Sequence, residues 1–338
     1  MRHGNNAGQA SGPGQHAGST TPCAQTRTAT IRCVSTRPPP PAAFLGLDAG
    51  GTQTRWAVAD AAGAVQRQGT VAGISGLLLH GDSGLAAVAA ALREIAAGAG
   101  PVQAVVAGVT GLDAAQVPRL CGLAAAALNI PTAAVQAMSD IELACHAAFA
   151  PGQGYVVYGG TGSVAGFIDA QGTLQRAGGR GAVIDDAGGG HWIARQALRH
   201  VWRADDIASG DWQGSALARR LFEHIGGSDW AHTWQWVYGA TRGELGTLAL
   251  AVAAAAVDED PAALAILHAA GLELARLAQA LLQRHGPRPL ALAGRAFDLH
   301  PAIEAQLRQA LPSATPIQRL TAPAHHEAAR IAARKAHP

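Results

Sequence analysis

An internal duplication constrains the fold of this 338-residue chain more than any other feature of its sequence. The segment DAGGTQTRWAVADAAGAVQR begins at Asp48, and the related segment YGGTGSVAGFIDAQGTLQR begins at Tyr158. The G-G-T, D-A and Q-R matches between the two segments are all separated by 109 positions. Two copies at so long a spacing indicate a duplicated domain, because the repeats of solenoid proteins recur at shorter intervals of about 20–50 residues.

Each copy predicts three short strands joined by glycine-containing turns, followed by alternating helices and strands. In the first half, strands are predicted at 43–48, 55–60, 64–71, 102–109 and 132–138, and helices are predicted to begin at Asp82, Asp113 and Asp140. In the second half, strands are predicted at 154–158, 164–169, 173–177, 289–294 and 315–319, and helices at 191–202, after Asp260, at 301–310 and at 323–336. This order predicts an α/β fold with a mainly parallel sheet in each half and a ligand-binding cleft between the halves.

The predicted domains follow from this pattern. An N-terminal domain covers residues 43–150, and a C-terminal domain covers residues 151–322 with a helical insert at about 214–257. A terminal helix in 323–338 is expected to pack back on the first domain.

The first 42 residues differ from the rest of the chain. They contain four arginines and no acidic residue, and they end in a run of four prolines. We predict a disordered extension, because a segment so poor in apolar residues cannot offset the entropy lost on ordering. A transit peptide is a weaker alternative, because no amphipathic stripe is visible.

Charge and hydropathy exclude two classes of partner. Removing the four arginines of the extension from the net charge of +2 leaves −2 for the remaining chain. A nearly neutral body offers no electrostatic reason to bind nucleic acid or an anionic membrane. No apolar run reaches the roughly 18 uninterrupted residues of a membrane span. We therefore expect a cytoplasmic protein whose partner is a small molecule.

Missing residue types exclude further chemistry. Lys335 is the only lysine of the chain, so a Walker A loop, which needs a lysine, is absent. The four cysteines form no C-x-x-C pair, and the histidines form no H-E-x-x-H motif. A nucleotide would therefore be bound without a P-loop.

The doubled turn suggests how a nucleotide could be bound. We call residues 50–52 the first loop and residues 160–163 the second loop. Glycines let backbone N–H groups approach an anion, and the threonines add hydroxyl donors. Asp48 stands at a strand end, where it could hold Mg²⁺ directly or through water. One such loop is more often an ordinary hairpin turn, but two copies in register favour a clamp on the β- and γ-phosphates of ATP.

Six motifs in order resemble those of a known family. They are LGLDAGGTQTRWAVAD, AGVTGLD, MSDIELACHAAF, YGGTGSVAGFID, GGRGAVIDDAGGGHWIA and YGATRGELGTLALAV. Together they are similar to the N-acetylglucosamine kinase branch of the BadF/BadG/BcrA/BcrD-type ATPase family. The resemblance covers about residues 43–337 and implies duplicated ribonuclease-H-like domains, the actin-like ATPase fold, with an interdomain cleft. It also implies Mg²⁺ and ATP as cofactors and suggests a homodimer.

The resemblance assigns roles to individual residues. Asp140 matches the carboxylate that accepts the proton of the sugar 6-hydroxyl, although an aspartate between a strand and a helix is commonly only a helix cap. The first phosphate site corresponds to Asp48 with Gly50, Gly51 and Thr52, and the second to Thr161, Gly162 and Ser163. Gly294 falls in the adenosine loop. Sugar contacts correspond to Ser75, Thr110, Gly111, Asp140, Gly179, Arg180, Gly181 and Asp186.

The chain departs from the family pattern near the predicted sugar site. Ala187 and Gly189 replace a glutamate and a serine, Ser75-Gly76 stands where many relatives have an asparagine, and Arg295 replaces a glycine. These changes affect the identity of the sugar more than phosphoryl transfer.

Three functions follow as hypotheses. The first is an ATP-dependent kinase acting on N-acetylglucosamine or glucosamine. The second is an ATPase activator of a 2-hydroxyacyl-CoA dehydratase or benzoyl-CoA reductase, which would need cysteine ligands for an iron–sulfur cluster. Cys121 and Cys145 are not placed like such ligands. The third is a sugar sensor without catalysis.

Overall fold

The computed structural model describes residues 42–336. The predicted extension therefore lies, apart from its last residue, outside the described residues.

The first half of the described chain forms a five-stranded sheet. Its strands are β1 (Ala43–Ala49), β2 (Gln53–Asp60), β3 (Val65–Ala72), β4 (Ala104–Val109) and β5 (Val135–Ser139). Their order is β3-β2-β1-β4-β5, in which β1 pairs antiparallel with β2 and parallel with β4. β1 is central and almost wholly apolar because both faces of the sheet are covered there.

The second half repeats this topology. Its strands are β6 (Tyr155–Gly159), β7 (Ser163–Ile168), β8 (Leu174–Gly178), β9 (Leu290–Ala293) and β10 (Ile317–Arg319). Their order is β10-β9-β6-β7-β8, again an antiparallel meander extended by parallel strands. The predicted α/β fold with two duplicated domains is confirmed.

Helices connect and cover the strands. In the first half they are α1 (Asp82–Ala99), α2 (Val117–Leu128) and α3 (Asp140–Ala148). In the second half they are α4 (Gly190–Ile207), α5 (Ala216–Ile225), α6 (Trp230–Gly239), α7 (Arg242–Val257), α8 (Pro261–His285), α9 (Ala296–Leu299), α10 (Pro301–Ala310) and α11 (Ala324–Ala336). Helices α5, α6 and α7 lie between α4 and α8 as a helical insert.

The predicted start of the second helix is wrong. Asp113 does not begin it; α2 begins at Val117. The carboxylate of Asp113 accepts hydrogen bonds from the N–H groups of Ala115 and Gln116, so it closes the turn that precedes the helix.

Helix α8 is the central helix of the second half. It is the one helix in residues 42–336 that is long and apolar enough to cross a membrane. One face of the helix, which includes Leu267, Leu274 and Leu281, is buried in the largest core cluster of the described residues. This burial explains its composition without a membrane.

The C-terminal helix belongs structurally to the first half. Ala328, Ile331 and Ala332 of α11 pack against Phe44 and Met138 of the first sheet. A side chain at Gly46 of β1 would overlap the backbone of α11 at Ala329 and at His325. The helix and the strand are therefore in backbone contact.

His325, at the start of α11, faces the interior of the protein and not solvent. Its side chain is buried, and its Nδ1 has no hydrogen-bond partner in the described chain. Burial and the neighbouring His326 lower the pKa of His325 to about 4.

Helix α3 lies between the two sheets. Leu143 packs on the first sheet with the α11 cluster, whereas Ile141 and Cys145 pack on the second sheet beside Val156. The two halves thus share one helix in their interface.

Candidate functional site

The first loop connects β1 to β2 at the carboxyl end of the central strand. The N–H of Gly50 donates a 3.1 Å hydrogen bond to the carbonyl of Gln53, which closes the turn. Gly51 and Thr52 are exposed at its tip. The Thr52 hydroxyl has no hydrogen-bond partner in the described part of the chain. It therefore remains available to a ligand.

The second loop is seated on the start of α4. The N–H groups of Gly190 and His191 donate hydrogen bonds to the carbonyls of Gly160 and Thr161. Ser163 is buried, and its hydroxyl donates a 2.6 Å hydrogen bond to the carbonyl of Ala187. Ser163 thus anchors the loop, and Thr161 is the residue of this loop that offers its hydroxyl to the cleft.

Asp140 is not the cap of the helix that it begins. The hydroxyl of Ser139 caps α3 by accepting a hydrogen bond from the N–H of Glu142. The Asp140 carboxylate accepts a 2.8 Å hydrogen bond from the N–H of Ile141, and the Thr110 hydroxyl lies near enough to favour its ionised form. Burial raises the pKa of Asp140 above 3.8 despite these two effects. A more basic carboxylate is a better proton acceptor near neutral pH.

Asp48 lies close to Asp140. It is paired across β1 and β2 with Arg55. Burial is the main cause that raises the pKa of Asp48; Asp140 raises it further, whereas Arg55 and Arg295 lower it. The two carboxylates therefore interact electrostatically, as expected if both face one site.

Tyr158, in the second half, also lies close to Asp48 and Asp140. It ends β6 immediately before the second loop. Burial, with smaller effects of Asp48 and Asp140, raises the pKa of Tyr158 to about 12. Its hydroxyl therefore stays protonated and can donate a hydrogen bond near both carboxylates.

A cleft of about 920 Å³ brings most of the predicted residues together. Its lining includes the predicted residues Asp48, Gly50, Gly51, Thr52, Thr110, Gly111, Asp140, Thr161, Gly162, Ser163, Gly179, Gly181, Asp186 and Gly294. The roles assigned to these residues stay predictions. A volume of this size is in the usual range for small-molecule sites, about 300–1,000 Å³.

Two of the predicted sugar contacts do not line the cleft. Ser75 is buried behind the wall that Thr110 and Gly111 form, where the next residue, Gly76, donates its N–H to the carbonyl of Thr110. Arg180 is exposed. Their predicted contact with a sugar stays a prediction.

Asp186 holds two parts of the site together. It is buried and adopts a positive φ of 55°. One carboxylate oxygen accepts a 3.0 Å hydrogen bond from the N–H of Gly181, and the other pairs with Arg242. Asp186 thus links the segment predicted to contact the sugar to the helical insert.

The departures at residues 187 and 189 have a local explanation. A side chain at Gly189 would lie 2.6 Å from the backbone of Gly162 in the second loop. Ala187 is buried and offers its carbonyl to Ser163. Close packing of this segment under the second loop favours the small residues that the chain has there.

Sequence analysis missed the contribution of α7. Arg242, Gly243, Glu244 and Thr247 line the cleft. The signal that could have located this helix start is the T-x-x-E pattern of Thr241 and Glu244, which forms a capping box. Arg55, Arg176, Arg295 and Arg319 also line the cleft and were not predicted as site residues.

The residues present fit a magnesium–nucleotide complex. Within residues 42–336, no three His, Cys, Asp or Glu side chains form a cluster that could hold a metal ion by themselves. Mg²⁺ bound with ATP needs only one or two carboxylates, because phosphates and water supply the other ligands. Asp48, beside the first loop, is suited to that role.

A family comparison decides the classification. The profile of the BadF/BadG/BcrA/BcrD ATPase family matches residues 45–325, which is most of the chain. The chain belongs to this family. The resemblance found in the sequence is therefore confirmed, and the protein is assigned to this ATPase family.

Solved structures share the fold of this family member. A candidate N-acetylglucosamine kinase from Chromobacterium violaceum has 24% identity and a TM-score of 0.65, with 87% of this chain and 100% of that chain covered. A candidate N-acetylglucosamine kinase from Porphyromonas gingivalis has 16% identity and a TM-score of 0.65, with 87% and 99% covered.

A more distant structure is a ROK family glucokinase from Streptomyces griseus in complex with glucose and AMPPNP. It has 16% identity and a TM-score of 0.55, with 87% of this chain and 99% of that chain covered. No curated protein sequence matches the chain. At these identities the structural likeness establishes the fold, and the substrate must be argued from the site.

Proposed function

We propose that this protein transfers the γ-phosphoryl group of ATP to the 6-hydroxyl of an amino sugar, N-acetylglucosamine or glucosamine. The observation that carries the proposal is the convergence of two threonine-bearing glycine loops and two half-buried aspartates, Asp48 and Asp140, in one cleft. Phosphoryl transfer requires positioning, charge neutralisation and a base that orients the nucleophile, and this arrangement offers all three. ATP dependence favours the cytoplasm as its location.

The residues would divide the work as follows. Asp140 would accept the proton of the 6-hydroxyl while the hydroxyl oxygen attacks the γ-phosphorus. The first and second loops would hold the β- and γ-phosphates through N–H groups and the hydroxyls of Thr52 and Thr161. Asp48 would hold Mg²⁺, which neutralises phosphate charge when it is bound. Thr110, whose hydroxyl lies near it, would help to keep the Asp140 carboxylate oriented.

The amino-sugar specificity rests on the likeness of the sequence to the N-acetylglucosamine kinase branch. Two structural neighbours carry that name as candidates. The altered segment around Ala187 leaves the choice between an acetylated and a free amine to experiment.

The test is sugar-dependent release of ADP. The protein would be supplied with Mg²⁺ and ATP and compared in the presence of N-acetylglucosamine, glucosamine, glucose and no sugar. We expect release that depends on one amino sugar, with its 6-phosphate identified by ³¹P NMR. Release that is indifferent to sugar would instead indicate the ATPase activator, and binding of a sugar without release would indicate the sensor.

The structure provides an argument against the activator within its described residues. Cysteines bind an iron–sulfur cluster as thiolates, so a raised thiol pKa disfavours ligation. Cys121 and Cys145 are both buried, and burial raises the pKa of Cys145 to about 12. A colourless, iron-free protein is therefore expected on purification.

A further inference from the structure

The first turn of α7 touches both loops of the cleft. A side chain placed on Gly243 would lie 3.1 Å from the Thr52 hydroxyl of the first loop. One placed on Gly246 would lie 3.4 Å from the Thr161 methyl of the second loop. The helical insert therefore bridges the two loops at the point where the terminal phosphates would lie.

Arg242 carries a positive charge to that point. A side chain on Gly162 of the second loop would overlap the Arg242 guanidinium and the Asp186 carboxylate. The guanidinium is paired with Asp186, but its side chain is still 46% exposed, whereas that of Asp186 is only 6% exposed. Arg242 thus lies over the glycine of the second loop with donor capacity directed into the cleft.

The other cations of the cleft face other acids. Arg55 and Arg295 lower the pKa of Asp48 by their charge, and Arg176 does the same for Asp140. Arg319 pairs with Asp298 and Glu304. Lys335, the only lysine, bonds to Gln136 on the surface. Among the cations described here, Arg242 is the one placed against the second loop.

We propose that Arg242 is a catalytic residue that leaves Asp186 and binds the γ-phosphoryl group during its transfer. The proposal rests on the kinase function proposed above. In the step, the 6-oxygen forms a bond to the γ-phosphorus, and the bond from that phosphorus to the β,γ-bridging oxygen breaks. The hydroxyl proton goes to Asp140, and ADP leaves with the electron pair. Arg242 stabilises the negative charge on the γ-phosphoryl oxygens, for which its planar donor pair is suited.

The pairing with Asp186 holds the guanidinium ready when no nucleotide is bound. The same carboxylate also holds Gly181 of the predicted sugar segment. Binding of the sugar and release of Arg242 toward the phosphate are thereby connected through one buried side chain.

The test compares Arg242→Ala with a matched control. Arg219→Ala removes an exposed arginine of the same helical insert that bonds only to the Gln213 carbonyl. We expect Arg242→Ala to lower kcat about 10³- to 10⁵-fold, in the range of other arginines that act on a transferring phosphoryl group. The KM for the sugar should change less than about threefold, and added guanidinium should restore part of kcat, while Arg219→Ala should resemble the wild type.

A double variant separates catalysis from a structural role. If Arg242→Ala acted only by leaving the Asp186 carboxylate unpaired, Arg242→Ala combined with Asp186→Asn would recover the activity of Asp186→Asn alone. We expect the double variant to stay as slow as Arg242→Ala. Recovery in the double variant, or a kcat of folded Arg242→Ala within threefold of the wild type, would overturn the proposal.

A binding measurement keeps the two proposals distinguishable. Wild-type protein and Arg242→Ala would be titrated calorimetrically with Mg²⁺ and either AMPPNP or ADP. We expect Arg242→Ala to weaken AMPPNP about tenfold more than ADP, since only AMPPNP has a γ-phosphoryl group. An equal effect on both ligands counts against the role of Arg242 even if the wild type proves to be no kinase. A wild type without sugar-dependent turnover counts against the kinase alone.

Discussion

At the scale of single residues, the assignment of Asp140 depends on its neighbour. A carboxylate between a strand and a helix would ordinarily satisfy the free N–H groups of the helix start. Ser139 supplies that cap, so the Asp140 carboxylate is directed to Thr110 and to the cleft. One hydroxyl thus separates the two functions that the sequence left open for this aspartate.

Asp140→Asn should preserve sugar binding and abolish most turnover. Removal of a general base is expected to lower kcat by about 10²- to 10⁴-fold. Glu142→Gln, in the same helical turn, is the matched control and should keep near-normal kcat. Turnover of Asp140→Asn close to that of the wild type would remove this residue from the base role.

The pH profile offers a second test of the same residue. Burial raises the pKa of Asp140 above 3.8, so the base becomes protonated and inactive at a pH where an exposed aspartate is still ionised. The acidic limb of kcat should therefore lie above that value. A limb at or below 3.8 would contradict the assignment.

The doubled pattern predicted both loops and Asp48, because each stands at a strand end fixed by the duplication, whereas Asp140 was predicted from the family resemblance. Arg242 could not be predicted in the same way. It reaches Gly162 only because α7 packs on α4, and that contact is set by tertiary structure rather than by spacing along the chain. Ser75 and Arg180 were predicted as sugar contacts but do not line the cleft, because a motif match does not specify which way a side chain faces.

At the scale of elements, a single carboxylate organises the helical insert. One oxygen of Asp260 accepts 3.0 Å hydrogen bonds from the N–H groups of Ala262 and Ala263 at the start of α8. The other accepts from the Leu217 N–H and the Ser215 hydroxyl at the start of α5. The sequence predicted the cap of α8, but the link to α5 is a contact between elements and left no local signal.

Asp260→Ala should lower the free energy of unfolding by about 2–3 kcal/mol, because two helix starts lose their acceptor. Asp258→Ala, which removes an exposed pair with Arg220, should cost no more than about 1 kcal/mol. Urea unfolding of both variants measures the difference. Equal losses of unfolding free energy in the two variants would show that the hydrogen bonds of Asp260 to the two helix starts do not stabilise the protein.

The contribution of Asp260 should also depend on pH. Burial opposes ionisation, but hydrogen bonds from Leu217, Ala263 and Ser215 lower the pKa of Asp260 overall. A lowered pKa in the folded state gives a contribution that is present above the unfolded-state pKa and is lost as the pH falls through the folded-state pKa. The gap between wild type and Asp260→Ala should therefore shrink in acid.

At the scale of the whole molecule, the halves are joined by helices that cross between them. The chain ends with α11 on the first sheet, although it enters that helix from the second half. The duplication predicted two similar sheets, since each copy carries its own apolar strands. The backbone contact between α11 and β1 requires a glycine at position 46. The sequence alone could not show this, because the requirement arises from a helix that is distant along the chain.

Gly46→Ala should destabilise the protein by about 3 kcal/mol, because the new methyl group overlaps backbone atoms of α11. Gly122→Ala is the matched control, since nothing lies within 4 Å of a side chain at that helical position. It should be neutral or stabilise the protein by up to about 1 kcal/mol. Denaturant midpoints compare the two, and an unchanged midpoint for Gly46→Ala would refute close docking of α11.

The position of α3 between the sheets has a mechanical consequence. Leu143 holds the helix to one sheet while Ile141 and Cys145 hold it to the other, so a rotation of the two halves about this helix would leave the helix almost in place. Points near an axis travel least. Such a rotation would open the cleft and move the two loops apart. Asp140, at the start of α3, would move least and would keep its position for the next sugar.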